Sequence, residues 1–191
     1  MALRWLIYGA YGYSGKLIAH QAKKRGYQPI LAGRNENALE PVARHLDFQY
    51  KVFSLDSIDE VQKQLEDVDL VVNCAGPFSQ TAIPLIQACI DTKTHYLDIT
   101  GEIDVFEYAH SMHKTAREAG IVLCPGVGFD VIPTDCIAAR LNAQMPEATH
   151  LALGFDSGSR MSRGTARTSI ERLGRGGAAR IKGQITDVPH A

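Results

Sequence analysis

The sequence has little of several features that would place it in a specialised class of protein. It has four cysteines in 191 residues and no C-x-x-C pair, so no metal cluster or disulfide framework is indicated. No apolar run approaches the ~20 residues of a membrane helix. The net charge of −1 argues against binding nucleic acid through bulk electrostatics. The start of the chain, MALRWLIYGA, leads straight into an apolar run and is unlike a signal peptide. We therefore expect a cytoplasmic protein with no membrane or nucleic-acid partner, and buried thiols at Cys74 and Cys124.

Short apolar runs alternate with amphipathic stretches over the first 125 residues or so. Strands are predicted at 3–8, 28–32, 50–53, 70–75, 96–99 and 121–124. Helices are predicted at 14–25, 37–46, 58–65, 81–90, 103–119 and 133–141. Strict alternation of apolar strands with helices is typical of a parallel sheet covered on both faces. The sequence thus predicts an α/β protein with a Rossmann-type doubly wound parallel sheet, in strand order 3-2-1-4-5-6.

The pattern changes after Gly128. Residues 149–155 alternate like a strand of a different sheet, 164–173 fit a helix, and no long helical or strand pattern follows the glycines after that. We predict a dinucleotide-binding domain over 1–146 and the start of a second, α+β domain over 147–191 that the chain does not complete. Residues 157–191 carry a net charge of 7 − 2 = +5, which fits either a solvated segment or a surface for an acidic partner.

The first predicted strand leads into a glycine-rich turn that opens the first helix. The turn reads Gly9-Ala10-Tyr11-Gly12-Tyr13-Ser14-Gly15. Gly9 permits a tight turn, Gly12 lets the backbone approach a pyrophosphate, and Gly15 lets the helix pack on the sheet. The helix N-terminus then offers N–H groups and a partial positive charge to phosphate. A glycine-rich turn without a ligand is the alternative, but its place at the first strand–helix junction favours a dinucleotide site.

The second strand is followed by Arg34 and Asn35, where NAD-binding proteins carry an acidic residue. An arginine fork suits the 2′-phosphate of NADP, and Asn35 can add a hydrogen bond. Glu36 lies close by, and Arg34 could instead cap a loop. The sequence therefore predicts NADP in preference to NAD. Asp56, after the third strand, could accept a hydrogen bond from the adenine amino group or cap the next helix.

Strand four ends in a turn at the switch point of the sheet, where a ligand would cross its edge. This turn carries four residues predicted to contact the cofactor: Ala75, Gly76, Pro77 and Phe78. Gly76 permits close approach of the backbone, and Phe78 would flank the nicotinamide or simply pack at the end of the strand.

Two acidic residues are the candidates for catalysis. Asp98 follows strand five, next to Thr100 and Glu102, where a buried carboxylate could act as an acid or base, although the same residues fit a helix start. Asp130 lies in the glycine- and proline-rich loop after strand six, whose backbone could instead contact the ribose or amide of the cofactor. His110 and His113 are interpreted as surface residues, and no metal site is predicted.

Taken together, these blocks resemble the NADP-binding domain of the saccharopine dehydrogenase-like oxidoreductases, a group that includes saccharopine reductases and trans-acting enoyl reductase-type proteins. The matching blocks are GAYGYSG (9–15), AGRN (32–35), NCAGPF (73–78), YLDITGE (96–102), PGVGFDVIPTD (125–135) and SRGTARTSIERLG (162–174). The resemblance implies a nicotinamide cofactor and a second domain that completes the substrate site and often mediates dimerisation. It also implies cofactor contacts from Gly9, Tyr11, Gly12, Tyr13, Ser14, Gly15, Arg34, Gly76, Pro77 and Phe78.

Two classes of function follow from these observations. The first is an NADP-dependent oxidoreductase that transfers hydride to or from a small carbonyl, imine or enoyl substrate, with a homodimer formed through the second domain. The second is a dinucleotide-binding sensor or scaffold without turnover, which stays open because no Tyr-x-x-x-Lys pair or His–Asp pair is evident.

Overall fold

The computed structural model describes residues 3–154, 158, 170 and 177–188. The chain divides into two compact units, Met1–Ser157 and Gly158–Ala191. The described part of the second unit is mainly a two-stranded hairpin, so the α+β domain predicted for 147–191 stays a prediction.

Six strands of the first unit form one parallel sheet in the order 3-2-1-4-5-6, as the sequence predicts. They are β1 (Trp5–Tyr8), β2 (Ile30–Gly33), β3 (Tyr50–Val52), β4 (Leu70–Asn73), β5 (His95–Asp98) and β6 (Leu123–Cys124). The register places Tyr8 beside Asn73 and Asn73 beside Asp98. Three polar side chains from neighbouring strands therefore meet at the carboxyl edge of the sheet.

The described part of this unit contains seven helices, of which α1 to α6 cover both faces of the sheet. They are α1 (Tyr13–Lys24), α2 (Glu36–Leu46), α3 (Ile58–Leu65), α4 (Phe78–Thr92), α5 (Ile103–Ser111), α6 (His113–Ala119) and α7 (Ile132–Gln144). One core cluster packs α1 and α2 against Ile7 and Leu31, and the other packs α3 to α6 against Leu6, Val71 and Tyr96. Two cores on opposite faces confirm the doubly wound α/β fold. None of the described helices has the length and apolarity needed to cross a membrane.

The single helix predicted over 103–119 is wrong, because the chain breaks it into α5 and α6 at Met112. The ψ angle of Met112 is 2°, far from the helical value near −42°. Just before the break, the hydroxyl of Ser111 donates to the carbonyl of Tyr108 over 2.7 Å. Such side-chain bonds to the backbone compete with the helical ladder, so Ser111 gives a local reason for the break.

The prediction of a strand over 149–155 is also wrong for its described part. Residues 149–154 form no strand, and all six are exposed, so the alternating pattern has no sheet to pack on. The helix predicted at 164–173 lies outside the described residues apart from Ile170. In turn, the sequence interpretation missed a hairpin of β7 (Gly177–Ile181) and β8 (Gln184–Val188). Its two-residue loop, Lys182-Gly183, has positive φ at both positions, as a type I′ turn requires.

The cysteines are free thiols, but their burial differs from expectation. Cys74 and Cys124 are only half-buried, whereas Cys89 on α4 is completely buried. Both predicted thiols sit at or just beyond the ends of short strands, where coverage by helices is incomplete.

Candidate functional site

The glycine-rich turn between β1 and α1 is shaped by contacts that only glycine allows. Gly9 has φ of +78°, and its N–H donates to the carbonyl of Ala32 over 2.8 Å. A Cβ on Gly9 would lie 2.9 Å from the backbone nitrogen of Ala75. A Cβ on Gly15 would collide with the carbonyl of Gly9. The positive φ of Gly9 and the close approach of α1 at Gly15 agree with the sequence prediction. The contact of Gly9 with the turn after β4 was not predicted.

The N-terminus of α1 is open at this turn. Gly12 precedes the helix, no side chain caps it, and its first turn contains no acidic residue. The first N–H groups of a helix have no partner within the helix, and the helix dipole adds a partial positive charge there. Ser14 is half-buried and Tyr13 is 69% exposed on the same turn. This arrangement fits a phosphate group.

Arg34 and Asn35 lie exposed directly after β2, beside the glycine-rich turn. Asn35 caps α2, because its Oδ1 accepts the N–H of Ala38 over 3.2 Å. The ring of Tyr11 lies over Gly33, where a Cβ would come within 2.5 Å of a ring carbon. The ring of Tyr11 therefore lies next to the residue before Arg34, and the ring can take this position only because residue 33 is glycine.

The hydroxyl of Tyr8 lies near the same corner and donates to the carbonyl of Phe53 over 3.3 Å. Burial raises the pKa of Tyr8 to about 12, with Tyr11 and Asp56 adding to the rise and Arg34 opposing it. Tyr11, Arg34 and Asp56 follow β1, β2 and β3 respectively along the chain. Asp56 is exposed, and Ser57 rather than Asp56 precedes α3, so the capping alternative for Asp56 is wrong. Its contact with adenine stays a prediction.

The turn after β4 is held by the buried side chain of Asn73. Its Oδ1 accepts the N–H of Ala75 over 3.0 Å, and its Nδ2 donates to Thr81 Oγ1 and to the hydroxyl of Tyr96. Thr81 in turn donates to the carbonyl of Ala75 over 2.6 Å. Within the predicted cofactor turn, Gly76 is exposed, Pro77 is buried, and the bond between them is cis. Phe78 and Ala75 pack against the core, which supports the packing interpretation of Phe78.

Asp98 is completely buried at the end of β5. Its Oδ1 accepts the N–H groups of Thr100 and Gly126 over 3.0 and 2.8 Å, and its Oδ2 accepts the hydroxyl of Tyr96 over 2.8 Å. Burial raises the pKa of Asp98, although these three donors oppose the rise. Burial likewise raises the pKa of the Tyr96 hydroxyl well above its usual value. The carboxylate therefore ties the β5 and β6 turns together and has no exposed surface for a substrate.

Asp130 occupies the opposite kind of environment, because it is exposed after β6. Its carboxylate lies against two glycines, since a Cβ on Gly101 would come within 2.8 Å of one oxygen and a Cβ on Gly128 within 3.2 Å of the other. The structure brings Asp130 and the turn that follows Asp98 together at one edge of the sheet. Of the two predicted catalytic acids, only Asp130 is open to solvent.

Glu102 forms a contact that the sequence interpretation did not anticipate. It is 5% exposed at the start of α5, yet its carboxylate reaches α4 and accepts the N–H groups of Phe78 and Ser79 over 2.9 and 2.8 Å. Asn73, Tyr96 and Thr81 were missed as well. The sequence signal of Asn73 and Tyr96 is weak, because a polar residue within an apolar strand is informative only once the neighbouring strand is known. Thr81 lies on α4, and its role depends on the contact with Asn73.

The sequence also contains one histidine on α5 and one on α6, and histidine is a common metal ligand. His110 and His113 are exposed, as the sequence predicts for surface residues. Among the described residues, no group of three His, Cys, Asp or Glu side chains is arranged to hold a metal ion.

A doubly wound parallel sheet with an open helix N-terminus after its first strand defines a dinucleotide-binding protein of the Rossmann class. Residues 5–124 match the saccharopine dehydrogenase NADP binding domain, and the chain belongs to that family. NADP is therefore the cofactor that the family assigns to this domain.

Curated relatives agree with the family, and a solved structure agrees with the fold. The chain is 29% identical over 153 residues to a saccharopine dehydrogenase-like oxidoreductase of Mus musculus, with 68% of this chain and 35% of that protein covered. It is 32% identical over 150 residues to a trans-acting enoyl reductase of Mycobacterium leprae, with 74% and 36% covered. The chain thus spans about a third of the length of these relatives. Apo saccharopine dehydrogenase (L-Glu forming) from Saccharomyces cerevisiae has the same fold, with a TM-score of 0.66 at 16% identity, covering 77% of this chain and 32% of that one.

Proposed function

We propose that this chain is the cofactor-binding part of an NADP-dependent oxidoreductase that transfers hydride to or from a small carbonyl, imine or enoyl group. The observation that carries the proposal is the pairing of an open, uncapped α1 with an exposed Arg34 at the end of β2. The relatives are named as oxidoreductases and an enoyl reductase, which supports this class over a non-catalytic sensor.

The residues of the carboxyl edge fit the parts of NADP. The N–H groups at Tyr13, Ser14 and Gly15 would hold the pyrophosphate, because the helix end is open and positive. Arg34, with the side-chain amide of Asn35, would hold the 2′-phosphate. Tyr11 and Asp56 would border the adenosine, and the 75–78 turn would border the nicotinamide. Gly9 and Gly12 would keep the backbone close enough for these contacts.

When bound, the nicotinamide supplies or accepts the hydride. The matching proton has to be exchanged by a group that a substrate can reach, and the exposed carboxylate of Asp130 is the candidate at this edge. Asp98 is enclosed by its three donors, so we assign it to positioning the turns rather than to contact with substrate.

The cofactor assignment is tested by titrating NADPH and NADH into the wild-type chain and Arg34→Ala. We expect the dissociation constant for NADPH to rise about 10- to 100-fold, because a hydrogen-bonded charge contact is worth about 1.5–3 kcal/mol. Binding of NADH should change by less than about twofold. Arg25→Ala is the matched control, since Arg25 is an exposed arginine at the opposite end of α1.

Equal losses for NADPH and NADH in Arg34→Ala would contradict a contact with the 2′-phosphate. A wild-type chain that binds neither nucleotide would overturn the proposed function itself.

We also propose that a second domain beginning near residue 147 completes the substrate site and forms a homodimer in a cytoplasmic enzyme. The proposal is supported by the resemblance of 162–174 to the start of that domain and by four cysteines that are free thiols, as in a reducing compartment. Sedimentation velocity of a protein that contains the complete second domain tests the homodimer, and a purely monomeric species at all concentrations would count against it.

A further inference from the structure

We propose that Glu102 is a positioning residue for the nicotinamide end of the cofactor site, because its carboxylate occupies the N-terminus of α4 and holds the 76–79 turn in place. The inference rests on the proposed NADP site. It adds a residue that makes no contact with the cofactor itself and acts through the turn that does.

The first step of the argument is the contact between Glu102 and α4. Pro77 precedes α4 and provides no side-chain cap, and the first turn of the helix contains no acidic residue. The carboxylate of Glu102 accepts two of the N–H groups that the helix leaves without partners, at Phe78 and Ser79. It is 5% exposed, so little water competes for these bonds. A carboxylate from a different element therefore does what a local cap does in other helices.

The second step is the contrast between the two helices that begin at the switch point. Both α1 and α4 follow central strands of the sheet, and both direct N-termini toward its carboxyl edge. Within the described residues, α1 has neither a side-chain cap nor an acid in its first turn. The N-terminus of α4, in contrast, is occupied by the carboxylate of Glu102. The N-terminus of α1 is thus available to the pyrophosphate, whereas the N-terminus of α4 is occupied by the carboxylate of Glu102.

The third step is the support behind Glu102. Its backbone N–H donates to Thr100 Oγ1 over 3.0 Å, and the N–H of Thr100 donates to Asp98. Asp98 also holds Gly126, and through Tyr96 it reaches Asn73 and the Ala75 end of the cofactor turn. The carboxylates of Asp98 and Glu102 therefore fix the turns after β4, β5 and β6 relative to one another. We expect a shift of Glu102 to move the 76–79 turn more than the glycine-rich turn, because Gly9 packs on Ala75, which Asn73 holds independently of Glu102.

The test compares two nucleotides that share one end. NADPH contains the nicotinamide, whereas 2′,5′-ADP has the adenosine and 2′-phosphate without it. In Glu102→Gln we expect the dissociation constant for NADPH to rise about 10-fold and that for 2′,5′-ADP to change by less than about twofold, because an amide keeps the shape but offers one acceptor instead of two. The emission of bound NADPH at saturation should also change, since it reports the surroundings of the nicotinamide. Glu107→Gln, on the exposed side of α5, is the matched control and should behave as wild type.

Equal affinities of Glu102→Gln and wild type for NADPH would overturn the inference. Equal losses for both nucleotides, with a lowered melting temperature, would also overturn it by showing a purely structural role. Failure of the wild-type chain to bind either nucleotide would overturn the proposed function and this inference with it. Hydrogen exchange on the wild-type chain gives a check that needs no variant: without nucleotide, the amides of Phe78 and Ser79 should exchange slowly, and fast exchange there would contradict the capping contact.

Discussion

Asp98 is a buried carboxylate that links the turns after β5 and β6. Its two oxygens accept three hydrogen bonds from three different residues, so the cost of burying a charge is largely offset by donors. The part of the desolvation cost that the donors do not offset raises the pKa of Asp98. At the residue scale, the site therefore contains acids of two kinds, with Asp98 and Glu102 holding backbone N–H groups and Asp130 exposed to solvent.

The raised pKa of Asp98 predicts a pH-dependent contribution to stability. A carboxyl group whose pKa is higher in the folded chain than its ordinary value of 3.8 takes up a proton on folding between those two values. Its contribution is therefore most favourable at low pH and falls as the pH rises above 3.8 toward the folded pKa. Asp98→Asn should be less stable than wild type, by about 1–3 kcal/mol at low pH for a buried donor left without its partner. The difference should shrink as pH rises.

Urea unfolding of both proteins from about pH 4 to 7 measures this difference. Titrations elsewhere in the chain, such as that of Asp67, whose pKa is lowered chiefly by its hydrogen bond to Lys51, cancel because both proteins share them. A gap between the two unfolding free energies that stays constant with pH would show that Asp98 does not titrate as described.

Local signals made part of the site predictable at this scale. The glycine spacing at 9–15 and the arginine after β2 need only a few neighbouring residues to be recognised. The roles of Glu102 and Asn73 were not predictable, because their partners lie far along the chain on other elements. The partners of Glu102 are 23 and 24 residues away, and Tyr96 is 23 residues from Asn73. Asp98 was recognised as a notable acid, but its enclosure by Tyr96 and Gly126 depends on the sheet register and the β6 loop.

At the scale of elements, the junction between β1 and α1 is the most tightly constrained part of the site. The helix can start where it does only because Gly15 lets it approach the carbonyl of Gly9 and the Cα of Ala10. Backbone atoms on both sides of this contact are fixed, the first by the sheet and the second by the helix.

Gly15→Ala should therefore cost more stability than an alanine at a glycine with space around it. Gly120 is the matched control, because it ends α6 with φ of +74° and a Cβ there would meet nothing within 4 Å. We expect Gly120→Ala to lower the free energy of unfolding by about 1 kcal/mol, because alanine is strained in the left-handed conformation but meets no neighbouring atom there. Gly15→Ala should lower it by roughly 3 kcal/mol and also weaken NADPH binding. Thermal unfolding with and without NADPH measures both, and equal losses in the two variants would contradict the close contact.

The elements themselves were largely predictable where the pattern is regular. All six strands and the strand order follow from apolar runs that alternate with amphipathic stretches. The exceptions have local or long-range causes. The break at Met112 follows a serine bond to the backbone, residues 149–154 lack a sheet to join, and β7, with the sequence GAARI, has few residues that favour a strand.

At the scale of the whole molecule, the two hydrophobic cores hold the sheet from both faces and leave its carboxyl edge for the site. No residue of α7 is buried, in contrast to the five buried residues of α4. The chain spans about a third of the length of its curated relatives.

A crystal structure of the chain with NADPH tests the central claim most directly. The account predicts one nucleotide per chain at the carboxyl edge of the sheet. Its pyrophosphate should lie on the N-terminus of α1, its 2′-phosphate on Arg34 and its nicotinamide beside the 75–78 turn. A pyrophosphate on any other helix, or a nucleotide whose 2′-phosphate lies away from Arg34, would contradict the assignment of the site.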